Sequence, residues 1–258
     1  MRGEAAVKHS SPDRHSHGFV AGTVDPLRYE YDDQAHDPDE IIGILSRLIP
    51  PGSRVLDVGC GTGSVSVQVI ADGRASLVGV EPDETRANAA RERGVDARTG
   101  FLTPELIGEL GAFDVVLFAD VLEHLADPLS LLELARTALG PGGRVIASVP
   151  NIAHWSVRTE LARGKFVYRD WGIMDATHLR WFTDANLRLL FQSAGLAIED
   201  RHVTAGIDLQ CYSERWPWRA MSRATRMALV RRALKQFPLL FGCQLIVRSA
   251  PVGGTAQR

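Results

Sequence analysis

The feature that most constrains this chain is VLDVGCGTG, Val55 to Gly63, an apolar run closed by glycines at alternate positions. An apolar run with no polar face is a strand buried on both sides, and such strands belong to parallel sheets covered by helices. Gly59, Gly61 and Gly63 let the backbone turn sharply and approach a ligand closely. The same alternation then repeats. SVSVQVIADG reads as a helix stopped at Gly73, SLVGVEPD as strand two, DETRANAARERG as a helix ending at Gly94, and VDARTG as a short third strand. FDVVLFAD is strand four, DPLSLLELARTALGPGG a helix with a glycine stop, and RVIASVPN strand five. TDANLRLLFQSAG is a helix with Thr183 as N-cap and Gly195 as stop, and LAIEDRHV and CQLIVRS are strands six and seven. The pattern predicts an α/β fold: a Rossmann-like, doubly wound, mostly parallel seven-stranded sheet with helices on both faces.

The domain is expected over 38–249, beginning with the helix DEIIGILSRLI, between flexible tails at 1–37 and 250–258. The first tail is polar and carries His15 and His17, read as part of a disordered segment rather than a metal site. Two stretches exceed a plain connection: a lid or substrate insertion after strand five, 151–182, and a basic helical insertion, 204–240, between the last two strands. Net charge is −2, so nothing global points to nucleic acid. Three widely spaced cysteines match no zinc or disulfide framework. No run is long enough to span a membrane, and the N-terminus has no apolar signal core. These features make a cytoplasmic monomer or homodimer the expectation.

A dinucleotide fingerprint needs a third glycine where Ser64 stands, and a phosphate loop needs a lysine after the turn. Neither is present. Glu81 ends strand two, 24 positions after Asp57, where an acid can accept both hydroxyls of a ribose.

With these motifs the sequence resembles class I S-adenosylmethionine-dependent methyltransferases. The resemblance runs from VLDVGCGTG and VGVEPD through FDVVLFADVLEHLADP to LGPGGRVIASVPN. PNIAHWSVRTELARGKF and DATHLRWFT are similar to bacterial methyltransferases related to the methionine biosynthesis protein W group and to natural-product and surface-glycan pathways. The resemblance implies S-adenosylmethionine as cofactor. Gly59, Gly61 and Gly63 would pass beneath its methionine part, with Cys60 between them; Asp57 would orient it, and Glu81 beside Pro82 would hold the ribose. Many relatives place an acid after strand three for the adenine amino group; here Phe101 stands there, implying apolar packing. Asp120 completes the expected cofactor set.

Transfer of a sulfonium methyl to a hydroxyl needs alignment and removal of one proton. DVLEHL places Asp120, Glu123 and His124 at the ligand side of the sheet, with His124 as first-choice base and His154 and His178 as second choices. Glu123, Trp155, Tyr168, Asp175, Arg180 and Trp181 are the expected substrate residues. Asp170, Asp175 and His178 match no specific metal spacing, so no metal is expected. The acceptor is expected to be a small molecule, a sugar or secondary metabolite. The alternatives are a lipid-linked or quinone-like acceptor, or a cofactor-binding partner protein without its own transferase activity. A peripheral membrane contact through 215–240 stays open beside a plain packing role for that helix.

Overall fold

The structure, a computed structural model, describes residues 37–253. The His15/His17 pair, residues 1–36 and residues 254–258 lie outside the described residues.

The first helix, α1 (Ile41–Leu48), puts Ile41, Ile42, Ile44, Leu45 and Leu48 against the sheet, the spacing of one apolar helical face. Five strands and four helices then alternate: β1 (Arg54–Val58), α2 (Ser64–Val69), β2 (Ser76–Glu81), α3 (Glu84–Glu92), β3 (Asp96–Thr99), α4 (Pro104–Leu110), β4 (Phe113–Ala119), α5 (Pro128–Thr137) and β5 (Leu139–Pro150). After an insertion come α7 (Asp184–Ser193) and β6 (Leu196–Val203), then a second insertion and β7 (Gln244–Pro251). The sheet order is β3-β2-β1-β4-β5-β7-β6. β7 pairs antiparallel with both β5 and β6, and the other pairs are parallel. Chain order reverses between β1 and β4, which opens a crevice above their carboxyl ends.

Two apolar layers cover the sheet. Leu56, Phe118, Leu132, Phe191 and Val247 belong to one, and Leu45, Val55, Val115, Leu117 and Ile146 to the other. Helix starts are set by side-chain caps: Asp83 on Arg86 N, Thr103 on Leu106 N, Asp127 on Ser130 N, and a full capping box between Thr183 and Asn186.

Three boundaries differ from the sequence reading. TPELIGEL forms α4, its Thr103 cap and Pro104 at the first turn being the signal that was present but unused. Leu139, expected at the end of α5, already pairs with Phe113, and the register shifts before Val115. At the other end, Ala250 and Pro251 pair with Ala197 and Leu196, so β7 runs into the expected tail.

The two insertions, expected as separate features, form one cap. The first holds α6 (Trp155–Ala162); the second holds α8 (Gln210–Ser213), α9 (Arg223–Gln236) and α10 (Pro238–Phe241). The Tyr212 hydroxyl accepts from Trp155 Nε1 at 2.9 Å and lies 3.3 Å from His154 Nε2. Trp155 and Trp218 pack beside a buried cluster of Ala205, Ile207, Cys211, Tyr212, Met227 and Val230. Glu160 on α6 accepts from both Arg169 and Arg215, tying the insertions together a second time.

Candidate active site

Gly59, Gly61 and Gly63 all have positive φ, at 74°, 57° and 77°. Their surroundings differ. A Cβ on Gly59 would meet Val121 Cγ2 at 2.8 Å, whereas a Cβ on Gly61 would meet nothing within 4 Å. Gly61 is therefore the glycine that faces open space. Its N–H donates to Glu81 Oε2 at 2.9 Å, and Asp83 N–H donates to Glu81 Oε1 at 3.1 Å. Glu81 is buried, bridges the ends of β1 and β2, and keeps lone pairs for further donors. Asp57 accepts from Ser66 Oγ at 2.5 Å, and its Oδ1 is buried with no partner. Burial pushes the Asp57 carboxyl up to about 6. Phe101 stands 76% exposed after β3. The Cys60 side chain packs against Gly79, so only its backbone belongs to the turn; Pro82 is exposed beyond Glu81.

At the end of β4, Asp120 has φ 55°. Its carboxylate accepts from Ser148 Oγ at 2.8 Å and from Gln244 Nε2 at 2.6 Å, so it is engaged within the protein. The following 3-10 turn, Leu122–His124, carries the next two candidates. Glu123 is 1% exposed, and neither carboxylate oxygen has a partner. Desolvation by burial raises its pKa well above the usual carboxylate range. Its carbonyl accepts from Leu179 N and Arg180 N at 2.8 and 2.9 Å, which fastens the lid's end to this turn. His124 Nδ1 lies 3.2 Å from the Thr177 carbonyl. A carbonyl only accepts, so Nδ1 carries the proton and Nε2 keeps its lone pair. Burial lowers the His124 pKa and keeps the ring neutral.

His178 is buried, with Nδ1 3.2 Å from the Ile173 carbonyl and its ring centroid 4.9 Å from that of His124. One ligand atom each from Glu123, His124 and His178 lie within 4.8 Å of one another, a set able to hold a divalent cation. The trio differs from the Asp170, Asp175 and His178 grouping weighed from sequence. Asp175 instead accepts from Thr177 N and Thr177 Oγ1 at 2.8 and 2.6 Å, shaping the turn that anchors His124.

The other lid residues separate into two groups. His154 and Trp155 belong to the cap core. His154 is 0% exposed, bonds Ser156 Oγ and Tyr212, and burial pushes its pKa down to about 4. His154, expected as a second-choice base, is thus buried in the cap core against Ser156 and Tyr212. Tyr168 and Trp181 gather with Phe166, at centroid distances of 5.4 Å for Phe166–Tyr168 and 5.5 Å for Phe166–Trp181. Trp181 Nε1 is buried without a partner, and the Arg180 guanidinium donates to the Ala126 carbonyl. Sequence reasoning missed Ser66, Ser148, Gln244 and Thr177; Phe166 lay in the expected lid without being singled out.

The basic insertion spends much of its charge internally. Arg215 pairs with Glu160, Arg223 with Asp208, and Arg231 with Asp37 and Asp39, while Arg226 donates to the Tyr212 carbonyl. Arg219, Arg232 and Lys235 are exposed. No helix among the described residues is long and apolar enough to cross a membrane.

Comparisons with known proteins give the family and the fold. A family model described as a methyltransferase domain matches residues 33–200. A ubiquinone biosynthesis O-methyltransferase of Ruegeria pomeroyi is 36% identical over 157 residues, covering 58% of this chain and 62% of that protein. Its namesake in Xanthomonas axonopodis pv. citri is 28% identical over 185 residues, covering 69% and 71%. The chain spans about three fifths of the length of the first of these relatives. Among solved structures, a SAM-dependent methyltransferase from Archaeoglobus fulgidus superposes with a TM-score of 0.53 at 18% identity, covering 81% of this chain and 91% of that one. The [4+2]-cyclase SpnF does so with a TM-score of 0.52 at 18% identity, covering 89% and 86%. These structural likenesses establish the fold.

Proposed function

Because the chain belongs to the methyltransferase-domain family, the class I S-adenosylmethionine-dependent methyltransferases, we propose that it methylates a hydroxyl on a small aromatic, quinone-like acceptor. S-adenosylmethionine, when bound, supplies a methyl group already activated on sulfur, transferable by in-line displacement. The residues present fit it. Gly61 leaves open space at the turn, and the unpartnered Asp57 Oδ1 awaits a donor such as an amino group. Glu81 has lone pairs for ribose hydroxyls, and Phe101 offers an exposed ring for a base.

The observation that carries the reading is His124. Its Nδ1 is anchored on Thr177, its ring is neutral, and Nε2 is left as a proton acceptor on the ligand side of the sheet. His124 takes the hydroxyl proton as the oxygen attacks, and burial of Glu123 beside it disfavours a competing negative charge. The Phe166–Tyr168–Trp181 cluster supports a flat apolar acceptor over a sugar, since rings pack on rings. The similarity to two ubiquinone biosynthesis O-methyltransferases points the same way.

The test is methyl transfer from S-adenosylmethionine to catechol, with glucose as the sugar comparison. Catechol should be methylated and glucose not, and His124→Ala should lower turnover roughly a hundredfold while leaving cofactor affinity intact. A protein that binds the cofactor yet methylates neither would be a cofactor-binding partner of another enzyme. A second reading rests on the orphaned Glu123 oxygens: with His124 and His178 they would hold a divalent cation that acidifies the hydroxyl instead. Loss of turnover in EDTA, restored by magnesium or zinc, would select it.

A further inference from the structure

Asp120 is the one non-glycine residue with positive φ among the described residues, at 55°. Such a bend persists where surrounding bonds over-determine it. Here they come from two neighbouring strands, β5 and β7. The Asp120 N–H donates to Ser148 Oγ at 3.0 Å, and Ser148 Oγ–H returns a bond to Oδ1 at 2.8 Å. Gln244 Nε2 donates to Oδ2 at 2.6 Å. Gln244 is itself fixed by Thr204, whose Oγ1 accepts from Gln244 N at 3.1 Å and lies 3.3 Å from Gln244 Oε1. Thr204 and Ser148 are both 0% exposed. The clamp therefore joins the end of β4 to β5, to β7 and to the root of the second insertion.

What lies beyond the bend gives it a purpose. Val121 follows at once and fills the space that a Gly59 Cβ would take, at 2.8 Å. Glu123 and His124 come next. One bend thus seats the chain against the cofactor turn on one side and sets the candidate base on the other. We propose that Asp120 is a positioning residue: its carboxylate, held by Ser148 and Gln244, fixes the register between the glycine turn and His124. The proposal rests on the methyl-transfer reading above and gives Asp120 a part other than direct contact with the cofactor.

The experiment compares Asp120→Ala, Asp120→Asn, Asp120→Gly and Gln244→Leu with the parent protein. One arm measures S-adenosylmethionine-dependent methylation of catechol. The other measures amide hydrogen exchange over 121–124 with S-adenosylhomocysteine bound. Asp120→Ala should lower kcat at least tenfold, while KM for catechol and affinity for S-adenosylhomocysteine move less than threefold. Asp120→Asn should recover kcat to within about threefold, because asparagine tolerates the left-handed bend and a turned Gln244 amide can meet it. Asp120→Gly keeps the bend without the clamp and should fall between. Exchange over 121–124 should rise in the alanine and Gln244→Leu variants and not in the asparagine variant. Unchanged kcat and exchange in Asp120→Ala would overturn the proposal. So would an asparagine variant as inactive as alanine, since the charge itself would then be at work. If Asp120→Ala does not fold, Gln244→Leu decides, and parental kcat and exchange in it would refute the clamp. If the parent protein does not turn over catechol, the functional reading fails and the exchange arm judges the clamp alone.

Discussion

Glu81 does two things with one carboxylate. It holds the glycine turn through Gly61 N–H, and in the proposed reading its remaining lone pairs would take the ribose hydroxyls. Glu81→Ala should therefore weaken S-adenosylhomocysteine binding by roughly a hundredfold or more, the loss of charge-assisted hydrogen bonds worth roughly 1.5–3 kcal/mol each. Calorimetric titration checks this, and an unchanged affinity removes the ribose role. Trp181 makes the complementary case on the acceptor side. Its ring meets Phe166 edge-on and Tyr168 at a tilt while its Nε1 stays buried without a partner. Trp181→Ala should raise KM for catechol or lower kcat at least tenfold while leaving S-adenosylhomocysteine affinity within about twofold; equal losses in both would make it a packing residue. Glu81 and the glycines were legible in the sequence because each belongs to a short local motif. Ser148 and Gln244 were not, because they meet Asp120 from 28 and 124 positions away. Nothing local to His154 announces its contact with Tyr212, 58 positions on, which ties it into the cap.

At the scale of elements, strand and helix order followed from alternation, but the relation between the insertions did not. Nothing in either segment alone announces that Trp155 and Tyr212 share a hydrogen bond at 2.9 Å. The charge pattern of the second insertion was equally open, because a basic helix looks the same whether its cations face solvent or a neighbouring carboxylate. The structure gives Arg215, Arg223 and Arg231 carboxylate partners, which supports a packing role for 215–240 over a membrane contact. Because the cap is one unit, breaking its centre should loosen both insertions. Tyr212→Phe removes the acceptor for Trp155 Nε1 and should destabilise the protein by about 1–3 kcal/mol. Hydrogen exchange should then rise in α6 and α9 together. A rise confined to α8 would mean that the insertions are held separately.

Across the whole molecule, two buried titratable groups pull stability in opposite directions with pH. Glu40 stands at the N-cap position of α1 with no side-chain cap bond; its carboxyl lies beside Gly206 and Ile207 of the second insertion, and its Oε1 is buried without a partner. Burial pushes its carboxyl from 4.5 up to about 7, with Asp37 adding repulsion. The folded protein thus keeps this proton longer than the unfolded chain does. The resulting stability is complete below about pH 4.5 and is lost as pH rises through about 7, a change on the order of 3 kcal/mol. His154 runs the other way, since burial lowers it from 6.5 to about 4. Its contribution is complete above about pH 6.5 and is lost as pH falls through about 4. Between about pH 4.5 and 6.5 the two slopes oppose each other, so the Glu40 contribution is read as a difference between variant and parent. Glu40→Gln removes the group that must ionise, so the melting temperature of the variant minus that of the parent should rise from pH 5 to 7 and stay high at pH 8. The acid side, set by His154, should remain. A Glu40→Gln variant that keeps the parental slope between pH 5 and 7 would show that Glu40 reaches solvent in the folded protein and that its burial beside the cap does not set the pH response.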